Sequence, residues 1–435
     1  MCSCEDCAVL KRTALLLRED VFHSDPAEDH SIVMGLRATR IRLVADATTA
    51  ASHGGQTALM TLCAQLMMLG FAVDLDVPDA VLVAPQPPFG GARLVAGLEA
   101  YGRQLWGSAP ARAGGTPQLT IAVGAAMPGA DIAVSWATDA AFVFPATAEL
   151  PAPAATESPF PPLAAAAAAA ASGARAAIPI IAEHLDIPLP TAQRWLDPVG
   201  RRTSLTLSGL VGPIDPNLGW CDAISGGAIT SAALYVLLRV PGLSGRLRII
   251  EDDILEASNL NRYALALRRH LGRGKAGALG EWSTDSFSVE PSALRLTTET
   301  AVQLRPFAPI VLAGVDDIAA RWLAQSASGS ARFYVGATSH DYVLVSEHAP
   351  GGACAGCVHP RDDSAVGEIP TIGFVSLWAG LAQAAFLLGR SSSLTSRAVD
   401  VAPLGLEGPR AVRPYIPLPH PRCPLACSAS TRLAG

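Results

Sequence analysis

Runs of apolar residues broken by short polar and glycine-rich stretches predict strand–helix–strand units at two places in this chain. From Arg40, "IRLVAD" reads as a strand. "SHGGQTALMTLCAQLMMLG" (52–70) is a Gly-Gly turn running into an apolar helix that ends at Gly70, and "FAVDLDV" (71–77) is a second strand. Such a unit makes a parallel strand pair, because its helix carries the chain back to the sheet's starting edge. The same succession returns as "WCDAI" (220–224), "SGGAITSAALYVLLRVPG" (225–242) and "RLRIIEDD" (246–253). "TIAVGA" (120–125) echoes "RFYVGA" (332–337), and the alanine-rich helix around 164–171 has its match in the apolar helix 374–389.

The repetition predicts an α/β protein made of two Rossmann-like domains in tandem, with mixed, mostly parallel sheets flanked by helices. The boundary is expected near 190–205, with 1–200 as the first domain and 201–435 as the second. Two unrelated doubly wound domains would look alike at this level and remain the alternative. "FPATAELPAPAATESPFPPL" (144–163) reads as an extended surface loop inside the first half.

Composition narrows the class. The chain has 435 residues, half of them hydrophobic and 16% charged, which supports large cores and excludes a disordered chain. The formal net charge is −6 and no Lys/Arg-rich run occurs, so a nucleic-acid partner is not expected. The longest apolar stretch is taken as 374–389, too short for a membrane span and expected to be a buried helix. The first residues lack a secretory pattern, and a cytoplasmic location is expected.

The two halves differ where chemistry would sit. After "FAVDLDV" the first half has Asp74 and Asp76 but no Asn, Arg or Lys series behind them. In the second half, Gly226 and Gly227 form a turn between strand and helix, where backbone N–H groups and the helix dipole favour phosphate. Glu251 ends the next strand, where an acid accepts hydrogen bonds from ribose hydroxyls. By itself this is equally a tight turn beside a surface acid. Asn259, Arg262 and Lys275 follow, and Asp316 ends the strand "PIVLAGVDD". Cations that offset phosphate charge and a carboxylate that holds Mg²⁺ suit triphosphate chemistry.

This succession resembles the adenylating enzymes of the ThiF, MoeB and ubiquitin-activating superfamily. Their nucleotide segment runs from a Gly-rich turn through an acidic strand end to Ser-Asn-Leu-x-Arg, then a downstream Lys, then an Asp at a later strand end. Here those elements are Gly226–Gly227, Glu251 to Asp253, Ser258–Asn259–Leu260–Asn261–Arg262, Lys275 and Asp316, with Arg321 in the following helix. The resemblance covers 205–427. Ile224 and Ile229 stand where the family has glycines, and Glu251 where it usually has Asp.

The resemblance implies ATP and Mg²⁺ as cofactors, with Gly226, Gly227, Glu251, Asp253, Asn259, Arg262, Lys275 and Asp316 around the nucleotide. Glu251 would hold the ribose and Asn259, Arg262 and Lys275 the phosphates. Asp316 would bind Mg²⁺ and orient attack, with Arg262 and Lys275 as its catalytic partners. The first domain would be a degenerate, inactive copy. That arrangement implies an activating enzyme of a bacterial ubiquitin-like conjugation system linked to antiphage defence. Its partners would be a ubiquitin-like protein and a conjugating-enzyme-like protein. The chain would be a monomer with an internal pseudo-dimer, or a homodimer. A sulfur-carrier or peptide adenylyltransferase is the alternative, and a nucleotide-binding scaffold without turnover a third. In relatives an arginine from the opposite domain reaches the phosphates. Arg12 and Arg18 are the residues available for this, although charge patterning favours a solvated helix face for them.

Cys354 and Cys357 form a Cys-x-x-Cys pair, and Cys423 and Cys427 a Cys-x-x-x-Cys pair. Two such pairs suit a tetrahedral structural Zn²⁺ site, which the resembled family has in the same order. Free thiols, a redox pair and a catalytic cysteine are the other readings. Cys63 and Cys221 lie in apolar contexts and are expected in the core. No basic neighbour activates the trio Cys2, Cys4 and Cys7.

Overall fold

A computed structural model of the chain describes residues 5–112, 115–187, 202–329, 331–361, 369–389, 395–404 and 412–427. Residues Cys2 and Cys4, and most of the expected domain boundary, lie outside the described residues. The protein is α/β, with two mostly parallel sheets flanked by helices.

The first half contains β1 (Arg40–Ala45), β2 (Ala72–Asp76), β3 (Ala111–Arg112), β4 (Leu119–Val123), β5 (Ile132–Trp136), β6 (Ala140–Pro145) and β7 (Thr203–Thr206). Its helices are α1 (Glu5–Leu17), α2 (Asp29–Ala38), α3 (Ala47–Ala51), α4 (His53–Leu69), α5 (Leu94–Trp106) and α6 (Phe160–Leu185). The second half contains β8 (Asn217–Ile224), β9 (Ser244–Ile250), β10 (Phe287–Ser292), β11 (Ile310–Ala313), β12 (Arg332–Ser339), β13 (Tyr342–His348), β14 (Arg397–Val401) and β15 (Val412–Tyr415). Its helices are α7 (Ala228–Leu237), α8 (Lys275–Gly280), α9 (Ile318–Ser328), α10 (Ala355–Val358) and α11 (Gly373–Leu388).

Among the described residues the sheet orders are β3-β2-β1-β4-β5-β6-β7 and β10-β9-β8-β11-β12-β13-β14-β15. In each, the first five strands are parallel and the rest antiparallel. The halves therefore share one topology, to which the second adds β15. Two expectations change. The first sheet continues to Thr206, past the expected end of the first domain at 200. "TIAVGA" and "RFYVGA" are not equivalent, since they lie on β4 and β12; the topological partner of β4 is β11. Short apolar strands followed by Gly-Ala look alike in sequence wherever they stand in a sheet.

One hydrophobic core runs through both halves. The alanine-rich helix expected around 164–171 is α6, which is longer than the 374–389 stretch: 26 residues with an apolar composition and length sufficient to cross a membrane, yet mostly buried inside the protein. Ala164–Ala171 are buried, and their small side chains let α6 pack closely on α4. α6 also packs on α11, its topological counterpart, which is buried along its whole length as expected. A Cβ on Gly380 would lie 2.4 Å from the Ala232–Ala233 peptide of α7, so this glycine sets the α11–α7 distance. The stretch 144–163 splits: 146–159 is irregular surface chain, whereas Phe160–Leu163 form the buried first turn of α6.

Candidate functional site

The site is built at the carboxyl ends of β8, β9 and β11, where a parallel sheet presents its ligand edge. After β8 the chain turns through Ser225, whose φ of +81° is a left-handed conformation unusual for a serine. The Ser225 hydroxyl accepts from Gly227 N–H (3.1 Å) and donates to Glu251 Oε2 (3.2 Å). The same Glu251 oxygen accepts from Gly226 N–H at 3.0 Å, and Oε1 accepts from Asp253 N–H at 3.0 Å. Glu251 thus clasps the glycine turn to the end of β9. A Cβ on Gly226 would come within 3.3 Å of Glu251 Cγ and 3.4 Å of Lys275 Cβ, so close packing accounts for a glycine there.

Ile229, at an expected glycine position, is accommodated from the other side. Its Cγ2 lies 2.8 Å from where a Cβ on Gly336 would stand, and its Cβ 3.4 Å from that of Gly314. Glycines on the strand side provide room that the helix side does not.

Lys275 opens α8, and its Nζ donates to Asp253 Oδ2 at 3.0 Å. Burial opposes the Lys275 charge, but Tyr263, Asp253 and Glu251 outweigh it and raise its pKa. The hydrogen bond from Lys275 holds the Asp253 carboxyl below its usual range. Tyr263 lies between the cations: Arg262 is 5.4 Å from its ring centre and Lys275 Nζ 5.8 Å. Arg262 donates to Ser258 O and to Asn261 Oδ1. Asp317 caps α9 by accepting from Ala320 N–H, and Arg321 donates to the carbonyls of Val315 and Asp316 at 3.0 and 3.2 Å. Burial lowers the Arg321 pKa to about 10, which leaves it charged at neutral pH.

These groups share one cavity of about 810 Å³, within the roughly 300–1,000 Å³ of small-molecule sites. Its wall includes Gly227, Glu251, Asp253, Arg262, Lys275 and Asp316. Arg12, Tyr263, Arg321, Tyr342 and His359 also line it; the sequence offered Arg12 and Arg321 as candidates, whereas Tyr263, Tyr342 and His359 were not singled out. Arg12 corrects the expectation of a solvated face: α1 packs on the turn at Ala257–Asn259, and Arg12 Nη1 donates to Ile369 O at 2.7 Å. Asn261 holds that helix in place, donating to Thr13 Oγ1 at 3.2 Å. Arg18 instead pairs with Asp29 at 2.9 Å. Asn259 is buried, and its Oδ1 accepts from Glu256 N–H at 3.0 Å as a local cap; it does not line the cavity. The Gly226 N–H is engaged with Glu251, and the residue is likewise absent from that wall. The position of Tyr263, directly after the Ser-Asn-Leu-Asn-Arg run, is the signal that could have found it.

Cys354, Cys357, Cys423 and Cys427 bring their sulfurs within 4.8 Å of one another. Three separations are 3.2, 3.2 and 3.7 Å, against about 3.8 Å between sulfurs of a tetrahedral site with 2.3 Å Zn–S bonds. Burial raises the Cys354 thiol, so a bare thiolate cluster is disfavoured and a cation would compensate. The donor set and spacing fit zinc. Cys63 and Cys221 are buried core residues, and burial pushes the Cys63 thiol up to about 12. Among the described residues no cysteine lines the cavity.

In the first half, Gly54 faces the Trp136 indole, whose Nε1 lies 3.1 Å from where a Cβ on Gly54 would be. The Trp136 Nε1–H donates to Ala154 O at 3.1 Å, so the irregular segment 146–159 lies against the same ring.

No family model matches the chain. Over 64 residues, 15% of this chain and 12% of the relative, the sequence is 44% identical to the uncharacterized protein y4jF of Sinorhizobium fredii. The chain resembles E. coli MccB solved with ATP, at 16% identity and a TM-score of 0.39, covering 48% of this chain and 66% of that one. It also resembles PaaA, at 16% identity and a TM-score of 0.35, covering 46% of this chain and 64% of that one.

Proposed function

We propose that the second half binds Mg·ATP and adenylates the C-terminal carboxylate of a polypeptide. The convergence of Arg12, Arg262, Lys275 and Asp316 on one cavity at a parallel sheet's carboxyl edge carries this reading. The carboxylate oxygen attacks the α-phosphorus, the bond to the β-phosphate bridging oxygen breaks, and pyrophosphate leaves with the electron pair. A carboxylate needs no base. The protein's task is to hold the reactants in line and to offset growing charge on the phosphate oxygens. Arg12, Arg262 and Lys275 supply positive charge. Asp316 would hold Mg²⁺, and Glu251 organises the turn beneath the nucleotide. In this reading the first half is an inactive copy that contributes α1 and its arginine.

The substrate we favour is a ubiquitin-like protein, in a bacterial conjugation system of antiphage type. With no described cysteine on the cavity wall, the activated carboxyl would pass to the thiol of a conjugating-enzyme-like partner. The same observation suits a sulfur-carrier or peptide adenylyltransferase. The test is ATP–pyrophosphate exchange in the presence of a co-encoded small β-grasp protein. Exchange that depends on that protein and disappears in Asp316→Ala is expected. Wild-type protein that binds neither ATP nor Mg·ATP defeats the reading.

A further inference from the structure

We propose that His359 is a positioning residue that, through Arg321, ties the four-cysteine cluster to the loop carrying Asp316; its functional consequence rests on the Mg·ATP reading above. α9 begins directly after Asp316 and Asp317, and α10 spans the segment between Cys354 and His359. Three contacts join the two helices. Ala355 N–H donates to Gln325 Oε1 at 2.6 Å, Trp322 Nε1–H donates to His359 O at 2.9 Å, and Arg321 Nη1 meets the His359 ring. That nitrogen is 3.4 Å from both Nδ1 and Nε2, so the guanidinium lies against the imidazole instead of ending on one nitrogen.

Arg321 also holds the loop: Nε donates to Val315 O and Nη2 to Asp316 O. A planar guanidinium cannot turn toward one partner without leaving the other. The place of the imidazole therefore sets the place of the Asp316 backbone. The imidazole is placed in turn by α10, where His359 N–H donates to Ala355 O at 2.8 Å and Cys357 N–H to Cys354 O at 2.8 Å. A cation held by the four cysteines would fix α10, and hence the loop from which a magnesium-binding carboxylate would project.

The experiment compares hydrogen exchange in peptides spanning 314–322, and the Mg²⁺ dependence of ATP binding, in wild type, His359→Ala, His359→Phe and Cys423→Ser. His359→Ala should keep its zinc, yet exchange about tenfold faster at 314–322 with β8 unchanged. It should need about five- to tenfold more Mg²⁺ for half-maximal ATP binding. His359→Phe keeps a ring face for Arg321 and should restore wild-type behaviour; it also controls for any folding defect of the alanine variant. Cys423→Ser should reproduce the alanine phenotype, and the double variant should be no worse than Cys423→Ser alone. Wild-type exchange in His359→Ala, a phenylalanine variant no better than alanine, or additive effects would overturn the proposal. Wild-type protein without Mg·ATP binding defeats the nucleotide reading instead, while the exchange data still decide the link between cluster and loop.

Discussion

Trp136 and Ala337 occupy the same register position in the two sheets. Val123 pairs with Val134 in the first, Ala313 with Val335 in the second, and each named residue stands two places further on. In the first half an indole packs against Gly54 in the first turn of α4; in the second a methyl group stands at the cavity wall. Ala337→Trp should therefore close the proposed nucleotide site from within. ATP affinity should fall by about 100-fold, some 2.8 kcal/mol, with native circular dichroism retained. Unchanged affinity by calorimetry would show that this cavity is not the site.

Arg12 reaches the same cavity from the first helix, 357 residues before its carbonyl partner Ile369. Hydrogen bonds to charged groups contribute about 1.5–3 kcal/mol, so Arg12→Ala should weaken ATP binding roughly 10- to 100-fold. Arg12→Lys should recover part of this, since it keeps the charge and loses the fork. Competition with ADP and AMP would locate the loss on the terminal phosphates; equal losses for all three nucleotides argue against that contact.

Purified protein should carry about one Zn²⁺ per chain by elemental mass spectrometry. Cys354→Ser or Cys427→Ser should abolish it, and a strong chelator should lower the unfolding midpoint. Cys63→Ser should retain the metal, since that thiol lies apart in the core. Equal zinc in all three variants would refute the cluster.

His348 is fully buried, and its pKa is depressed to about 4 by burial, partly offset by the Ala353 carbonyl. Nδ1 donates to that carbonyl at 2.7 Å, which leaves Nε2 to accept from the Ser346 hydroxyl at 2.9 Å. The folded-state value lies below the unfolded one. Its contribution is thus complete above about pH 6.5 and is lost as pH falls toward the folded value. The loss can reach about 3 kcal/mol. Denaturant midpoints between pH 7 and pH 4 should fall less steeply in His348→Gln than in wild type.

Gly380→Ala should destabilise the protein by about 1–3 kcal/mol through overpacking, because the new methyl meets the Ala232–Ala233 backbone. The thermal midpoint reads this directly, and a midpoint equal to wild type would mean that α7 and α11 separate freely.

Local signals in the chain determined much of this protein. The α/β class, the repeated sheet order and the burial of α11 follow from residues near one another in sequence. Periodicity, glycine at turns and cysteine spacing are short-range properties, and tertiary structure had only to accept them. Other features depended on contacts that no local pattern encodes. Arg12 joins the cavity because Asn261 and Thr13 dock α1 onto the second half. Asn259, read from its motif as a phosphate ligand, accepts from Glu256 N–H as a local cap. In the first half, strand register brings Trp136 against Gly54. Which side chain fills a space is settled only when strands pair and helices pack, since burial drives the chain together while register decides what meets there.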